Sequence, residues 1–111
     1  MSMAVDELAD RIRPLMPPQG RIEERRMFGG MAVMLNGNMV VCPTKEGSLI
    51  VRVGKEGMAD ALGIDGATPM EMGGRVMSGF VLVPGDALEE DEALAGWIRR
   101  ALAFATTLPA K

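Results

Sequence analysis

The dipeptide Asn36-Gly37 constrains the folding of this 111-residue chain more than any other feature. It stands between two apolar runs, Met31-Ala32-Val33-Met34-Leu35 and Asn38-Met39-Val40-Val41-Cys42. A type I′ turn needs positive φ at both central residues, and Asn followed by Gly meets that need at least cost. The two runs are therefore predicted to pair as an antiparallel hairpin. Pro43 has no N–H to donate and ends the second strand. Thr44-Lys45-Glu46-Gly47 reads as a loop. Ser48 to Val53 is a further strand, with Leu49, Val51 and Val53 on one face and Ile50 and Arg52 on the other. Three such strands in sequence make a meander.

Upstream of the hairpin, Ile22 to Phe28 alternates poorly and is rich in charge. That pattern suits an edge strand whose charges discourage pairing with other chains. The stretch Arg25-Arg26-Met27-Phe28-Gly29-Gly30-Met31-Ala32 then passes from two cations to two large apolar residues to two glycines. Gly29-Gly30 is expected to be the bend or bulge that starts the meander. Earlier still, Val5, Leu8, Ala9 and Ile12 follow helical spacing, with Ser2 as N-cap and Glu7 four residues before Arg11. Pro14 ends or kinks this helix, and Pro17-Pro18-Gln19-Gly20 stops it.

Downstream, Lys55 to Leu62 is predicted as a short helix closed by Gly63. Ile64 to Pro69 reads as irregular, Met70-Glu71-Met72 as a short strand, and Gly73-Gly74 as a turn. Val76 to Val83 is a longer strand with apolar groups on both faces, as in a central or covered strand. Asp86 and Glu89 have capping-box spacing. Leu94, Trp97, Ile98, Ala101, Leu102 and Ala105 form a long helical stripe, with acids before it and Arg99-Arg100 further on, as the helix dipole favours. The tail from Thr106 to Lys111 is expected to fray. The sum is an α+β domain spanning residues 1–111. Its antiparallel sheet has a three-strand meander plus one or two further strands. An N-terminal helix, a short middle helix and a long C-terminal helix accompany it.

Composition narrows the function. The chain has no histidine, which removes the commonest general base and the commonest metal ligand. A Ser/His or Cys/His nucleophilic site is excluded. Cys42, the only cysteine, lies in an apolar run and reads as a buried hydrophobe. The formal charge of −3 argues against direct, tight nucleic-acid binding, which depends on basic patches. No apolar run is long enough for a membrane span, and no signal peptide opens the chain. A cytoplasmic protein without cofactor or metal is the expectation.

At Arg26-Met27-Phe28-Gly29-Gly30 the chain resembles the N-terminal domain of the TfoX/Sxy competence regulators. A second block, Met77-Ser78-Gly79-Phe80-Val81-Leu82-Val83-Pro84 followed by the Leu94–Trp97 helix, is similar to that family as well. The resemblance runs from Val5 to Ala105. It implies a small α+β unit that associates as a homodimer and acts with a protein partner in transcription regulation, not as an enzyme. The chain departs from the full-length regulators, which carry a second, C-terminal helical domain, and a stand-alone domain of unknown role is the expectation.

The candidate binding residues are Arg25, Arg26, Met27, Phe28, Gly29, Gly30 and Arg75. Arginine next to bare glycine backbone is a motif for anions, since guanidinium forks and backbone N–H groups both donate. Arg75 follows Gly73-Gly74, so two Gly-Gly elements each neighbour an arginine. If both converge on one concavity, they form a small anion or ligand site, possible also for an enzyme. If they lie at opposite ends, that site does not exist. The 11 methionines, many beside predicted strands, offer either core filling or an exposed contact patch.

Overall fold

The computed structural model describes residues 3–27 and 29–111. Ser2, the expected N-cap, and Phe28, a candidate binding residue, lie outside the described residues. Helix α1 spans Met3–Ile12 and turns Val5, Leu8, Ala9 and Ile12 inward. Pro14 acts as expected: α1 stops at Ile12 and a 3-10 turn over Arg13–Leu15 follows.

Six strands follow: β1 (Ile22–Met27), β2 (Gly30–Leu35), β3 (Asn38–Pro43), β4 (Leu49–Arg52), β5 (Thr68–Met72) and β6 (Arg75–Val83). They form one antiparallel sheet in the order β1-β2-β3-β4-β6-β5. The charged strand β1 is the predicted edge, yet it pairs with β2 along its whole length, from Ile22 opposite Leu35 to Met27 opposite Gly30. The meander therefore has four strands. Asn36 (φ 53°) and Gly37 (φ 85°) make the turn between β2 and β3. Strand β6 is hydrogen-bonded on both sides, to β4 and to β5.

The sheet has two apolar faces. On one, Val33, Val41, Leu49, Val51, Val81 and Val83 pack with Leu8 and Ile12 of α1 and with Trp97 and Ile98 of α3 (Asp91–Ala105). On the other, Ala32, Met34, Met39, Cys42 and Ile50 form a smaller cluster bordered by Met70, Phe80 and Leu82. A register shift between Val33 and Met34 sets β3 against β2 with one extra residue. Val40 and Val41 thus both join the helix-side core, while Met39 and Cys42 belong to the other cluster.

Several local expectations change. Helix α2 covers Met58–Leu62 only. Residues 55–57 form a turn, closed by the Gly57 N–H donating to the Gly54 carbonyl at 3.2 Å and the Met58 N–H to that of Lys55 at 3.4 Å, and a Cβ on Gly57 would meet the Val53 carbonyl oxygen at 2.5 Å. The capping box at Asp86 and Glu89 does not form: Gly85–Leu88 is a 3-10 turn, and α3 begins at Asp91 with no side-chain cap. The break lies at Glu90, whose extended backbone (ψ 131°) separates the turn from α3. The Arg11 guanidinium donates to the Leu88 and Glu89 carbonyls at 2.7 and 3.3 Å and braces this break against α1. Arg11 also pairs with Asp91 at 3.1 Å, tying α1 to the start of α3 instead of serving the Glu7 pair expected from spacing.

The tail does not fray. The Lys111 N–H donates to the Asn36 carbonyl at 2.8 Å, and the Asn38 Nδ2 donates to the Pro109 carbonyl at 3.0 Å. The Arg21 guanidinium reaches the Lys111 carbonyl at 3.2 Å. Residues after α3 are thereby laid across the β2–β3 turn.

Candidate functional site

Each residue singled out in the sequence has a definite place. Arg25 and Arg26 are exposed on edge strand β1, and Arg25 lies 3.8 Å from Glu23. Neighbouring Glu24 is engaged by Arg13 at 2.6 and 2.9 Å, which holds its carboxyl below the ordinary carboxylate range. The same hydrogen bonds and charge raise the Arg13 guanidinium above its ordinary value, helped by Asp10. Met27 is exposed at the end of β1. Gly29 (φ 73°) occupies the β1–β2 turn with open space around it. Gly30 is different: it bridges to Thr44 and is pressed against Pro43.

The second Gly-Gly pair, Gly73 (φ 60°) and Gly74 (φ 79°), makes the two-residue turn between Met72 and Arg75. The sheet order puts β1 on one edge and β5 on the other. Five strand spacings separate them, on the order of 24 Å. The strand directions also put the two turns at opposite ends, since β6 runs from Arg75, beyond the end of β4, up to Val83 beside Leu49. The site imagined between Arg25, Arg26 and Arg75 therefore does not assemble.

A different arginine lines a real cavity. Strand β4 ends at Arg52, and the chain then turns through Gly54 (φ 79°) towards Gly57. The N–H groups of Val53 and Gly54 both donate to the Gly79 carbonyl, at 2.9 and 3.0 Å. Gly79 itself has φ 91°, a bulge conformation in β6. A Cβ on Gly54 would stand 2.5 Å from the Phe104 ring, so glycine lets α3 lie against this turn. Between them is a cavity of about 780 Å³, lined by Arg52, Lys55, Arg100, Phe80, Ala103 and Phe104, among others.

Arg52 dominates it. Its guanidinium carbon lies 5.7 Å from the Phe80 ring centre and 5.5 Å from that of Phe104. Among the described residues no carboxylate pairs with it. Arg100, one helical turn before Phe104, sits over Trp97 at 6.0 Å. Three cations thus line the cavity with one carboxylate, Glu56. Sequence reasoning passed over this site. The signal was a lone arginine on a strand face otherwise apolar, followed by Gly54 and Gly57. Phe80 and Phe104 were beyond local reach.

Cys42, the one thiol, is fully buried, and burial pushes its pKa up to about 11. Its Sγ lies 3.5 Å from the Met27 carbonyl, to which it donates. Among the described residues no group of three acidic or thiol side chains is gathered as metal ligands, and no helix is long and apolar enough to cross a membrane.

A six-stranded antiparallel sheet with α1 and α3 on one face defines a small α+β domain. The TfoX N-terminal domain family matches residues 14–105, and the chain belongs to that family. No curated protein matches the chain. The match places the chain with competence-regulator-like domains.

Proposed function

We propose that this domain is a non-enzymatic regulatory module that works in the cytoplasm through protein contacts, as a homodimer, in transcription regulation. The observation that carries the reading is the β5–β6 hairpin. Strand β4 ends at Arg52 opposite Phe80, and beyond the Gly79 carbonyl, which Val53 and Gly54 reach, the start of β6 at Arg75 and Val76 has β5 as its only paired strand. This projecting part exposes Met72 and Val76, the two most exposed of the large apolar side chains among the described residues, at 45% and 57%. The register sets Met72 beside Arg75 on one face of the hairpin and Val76 beside Glu71 on the other. Two copies paired through their β5 edges about a twofold axis set the hairpin side chains of one against those of the other. The buried, proton-holding thiol of Cys42 and the missing histidine support a role without covalent or general-base chemistry.

Sedimentation velocity across a micromolar concentration range tests this. The wild-type chain is expected to dimerise, and the paired change Met72→Glu with Val76→Glu to weaken the dimer at least tenfold. A chain that stays monomeric at several hundred micromolar, or a dimer indifferent to both changes, overturns the reading.

A further inference from the structure

We propose that the cavity between β4, β6 and α3 binds a small organic phosphate monoester, with the phosphate on Arg52 and Arg100 and the organic part against Phe104. This goes beyond the contact role of the hairpin and does not depend on it.

The first argument is Arg52. A guanidinium has five N–H donors and no acceptor capacity. Its flat faces suit aromatic rings, while its rim of donors suits the oxygens of a carboxylate or phosphate. Phe80 and Phe104 supply the rings at 5.7 and 5.5 Å. No acceptor among the described residues serves the rim. The side chain is half-buried and braced in position, so little ordering is left for a ligand to impose.

The second argument is charge. Arg52, Lys55 and Arg100 line one cavity whose sole carboxylate is Glu56, in a chain whose net charge is −3. This local excess matches a dianion better than a monoanion. A phosphate monoester carries close to two negative charges near neutral pH. The third argument is size and lining. About 780 Å³ lies within the range of small-molecule sites, which are mostly apolar with a few converging polar groups. Val53, Phe80, Ala103 and Phe104 supply the apolar wall. The neighbouring cavity beside Trp97 sets Asp65 and Glu92 against Arg99 and Arg100, and so has no such excess.

The test is an NMR titration of the full chain with phenyl phosphate at low salt, reading the backbone amides. Expected are saturable shifts at Gly54, Gly57 and Gly79, and binding that weakens below about pH 6 as the dianion gains a proton. Phenol, which lacks the phosphate, produces no shifts there. Arg52→Gln and Arg100→Gln each weaken binding about tenfold or more, while Arg99→Gln, at a residue that lines the neighbouring cavity and not this one, leaves it unchanged. Because Arg100 is exposed on α3, its variant keeps the test valid even if Arg52→Gln unfolds. Absence of shifts with millimolar phenyl phosphate overturns the proposal, as does wild-type binding by the Arg100 variant. Benzoate binding as tightly as phenyl phosphate overturns the choice of phosphate. Inorganic phosphate binding as tightly overturns the role of the apolar wall.

Discussion

Gly30 and Pro43 approach so closely that a Cβ on Gly30 would stand 1.9 Å from the Pro43 carbonyl oxygen. The obstacle is backbone, held in β3, and it cannot swing aside as a side chain would. Gly30→Ala is therefore expected to lower stability by about 3 kcal/mol, at the upper end of overpacking costs. Gly29→Ala meets no atom within 4 Å and pays only for its positive φ, about 1 kcal/mol. Urea denaturation of both variants checks this ordering. Equal losses would mean that the turn, and not the close approach, requires glycine here.

The docked tail makes a separate expectation. Asn38 is a buried polar residue whose amide donates to the Pro109 carbonyl. Asn38→Ala is expected to cost about 1–2 kcal/mol and to release the tail. Hydrogen exchange at the Lys111 amide, which donates to Asn36, reports that release directly. An amide that exchanges at the unfolded rate already in the wild-type chain would contradict the docking.

Cys42 ought to resist thiol reagents. With its pKa pushed up to about 11 by burial, it is protonated and shielded at neutral pH. Labelling by a disulfide reagent is expected to follow global unfolding and to accelerate in urea. A linkage effect accompanies it. Above the ordinary thiol pKa the unfolded chain has lost its proton and the folded chain keeps it. Stability therefore falls as pH rises from about 8.5 to about 11, by at most about 1.4 kcal/mol per unit. Cys42→Ala should lack that slope.

The Arg13–Glu24 pair has the opposite sign. The folded carboxyl of Glu24 titrates below its ordinary value because Arg13 donates two hydrogen bonds to it. Its contribution is present above the ordinary carboxylate pKa and is lost as pH falls through the lowered folded value. The stability gap between wild type and Glu24→Gln is expected to be under about 1 kcal/mol at pH 7 and to close in acid. Denaturation midpoints at pH 7 and pH 3 measure it. An unchanged gap in acid would assign the effect to packing.

What was legible in the sequence was local. Asn36-Gly37, Gly73-Gly74 and Pro14 act through their own backbone preferences, and each did as its residue type dictates. The stripe from Leu94 to Ala105 is equally self-contained. Strand β1 was harder to read, because its charged residues become a full strand only through pairing with β2. The start of α3 was not legible because the break at Glu90 is braced by Arg11, far away in sequence. The tail's docking depends on Asn36 and Asn38 for the same reason. Of the candidate residues, Gly29 and Gly30 shape the chain, whereas Arg25, Arg26 and Arg75 are kept apart by a sheet order that no local pattern encodes. The Arg52 cavity needs Phe104, which only the closed fold brings near.

The clasp between Arg11 and the Leu88–Asp91 segment bears on how the chain is made. Strands β1 to β4 follow one another and can pair as they leave the ribosome. Their inner face, however, is covered by α1, which precedes them in the chain, and by α3, which follows them. Until α3 emerges, the valines that Trp97 and Ile98 will cover stay open to water. The nascent chain thus carries a sticky, half-roofed sheet until α3 is made. A chain that ends between Val83 and Asp91, tethered to the ribosome by a linker long enough to clear the exit tunnel, would present that intermediate, and a chaperone should bind it while ignoring the finished domain.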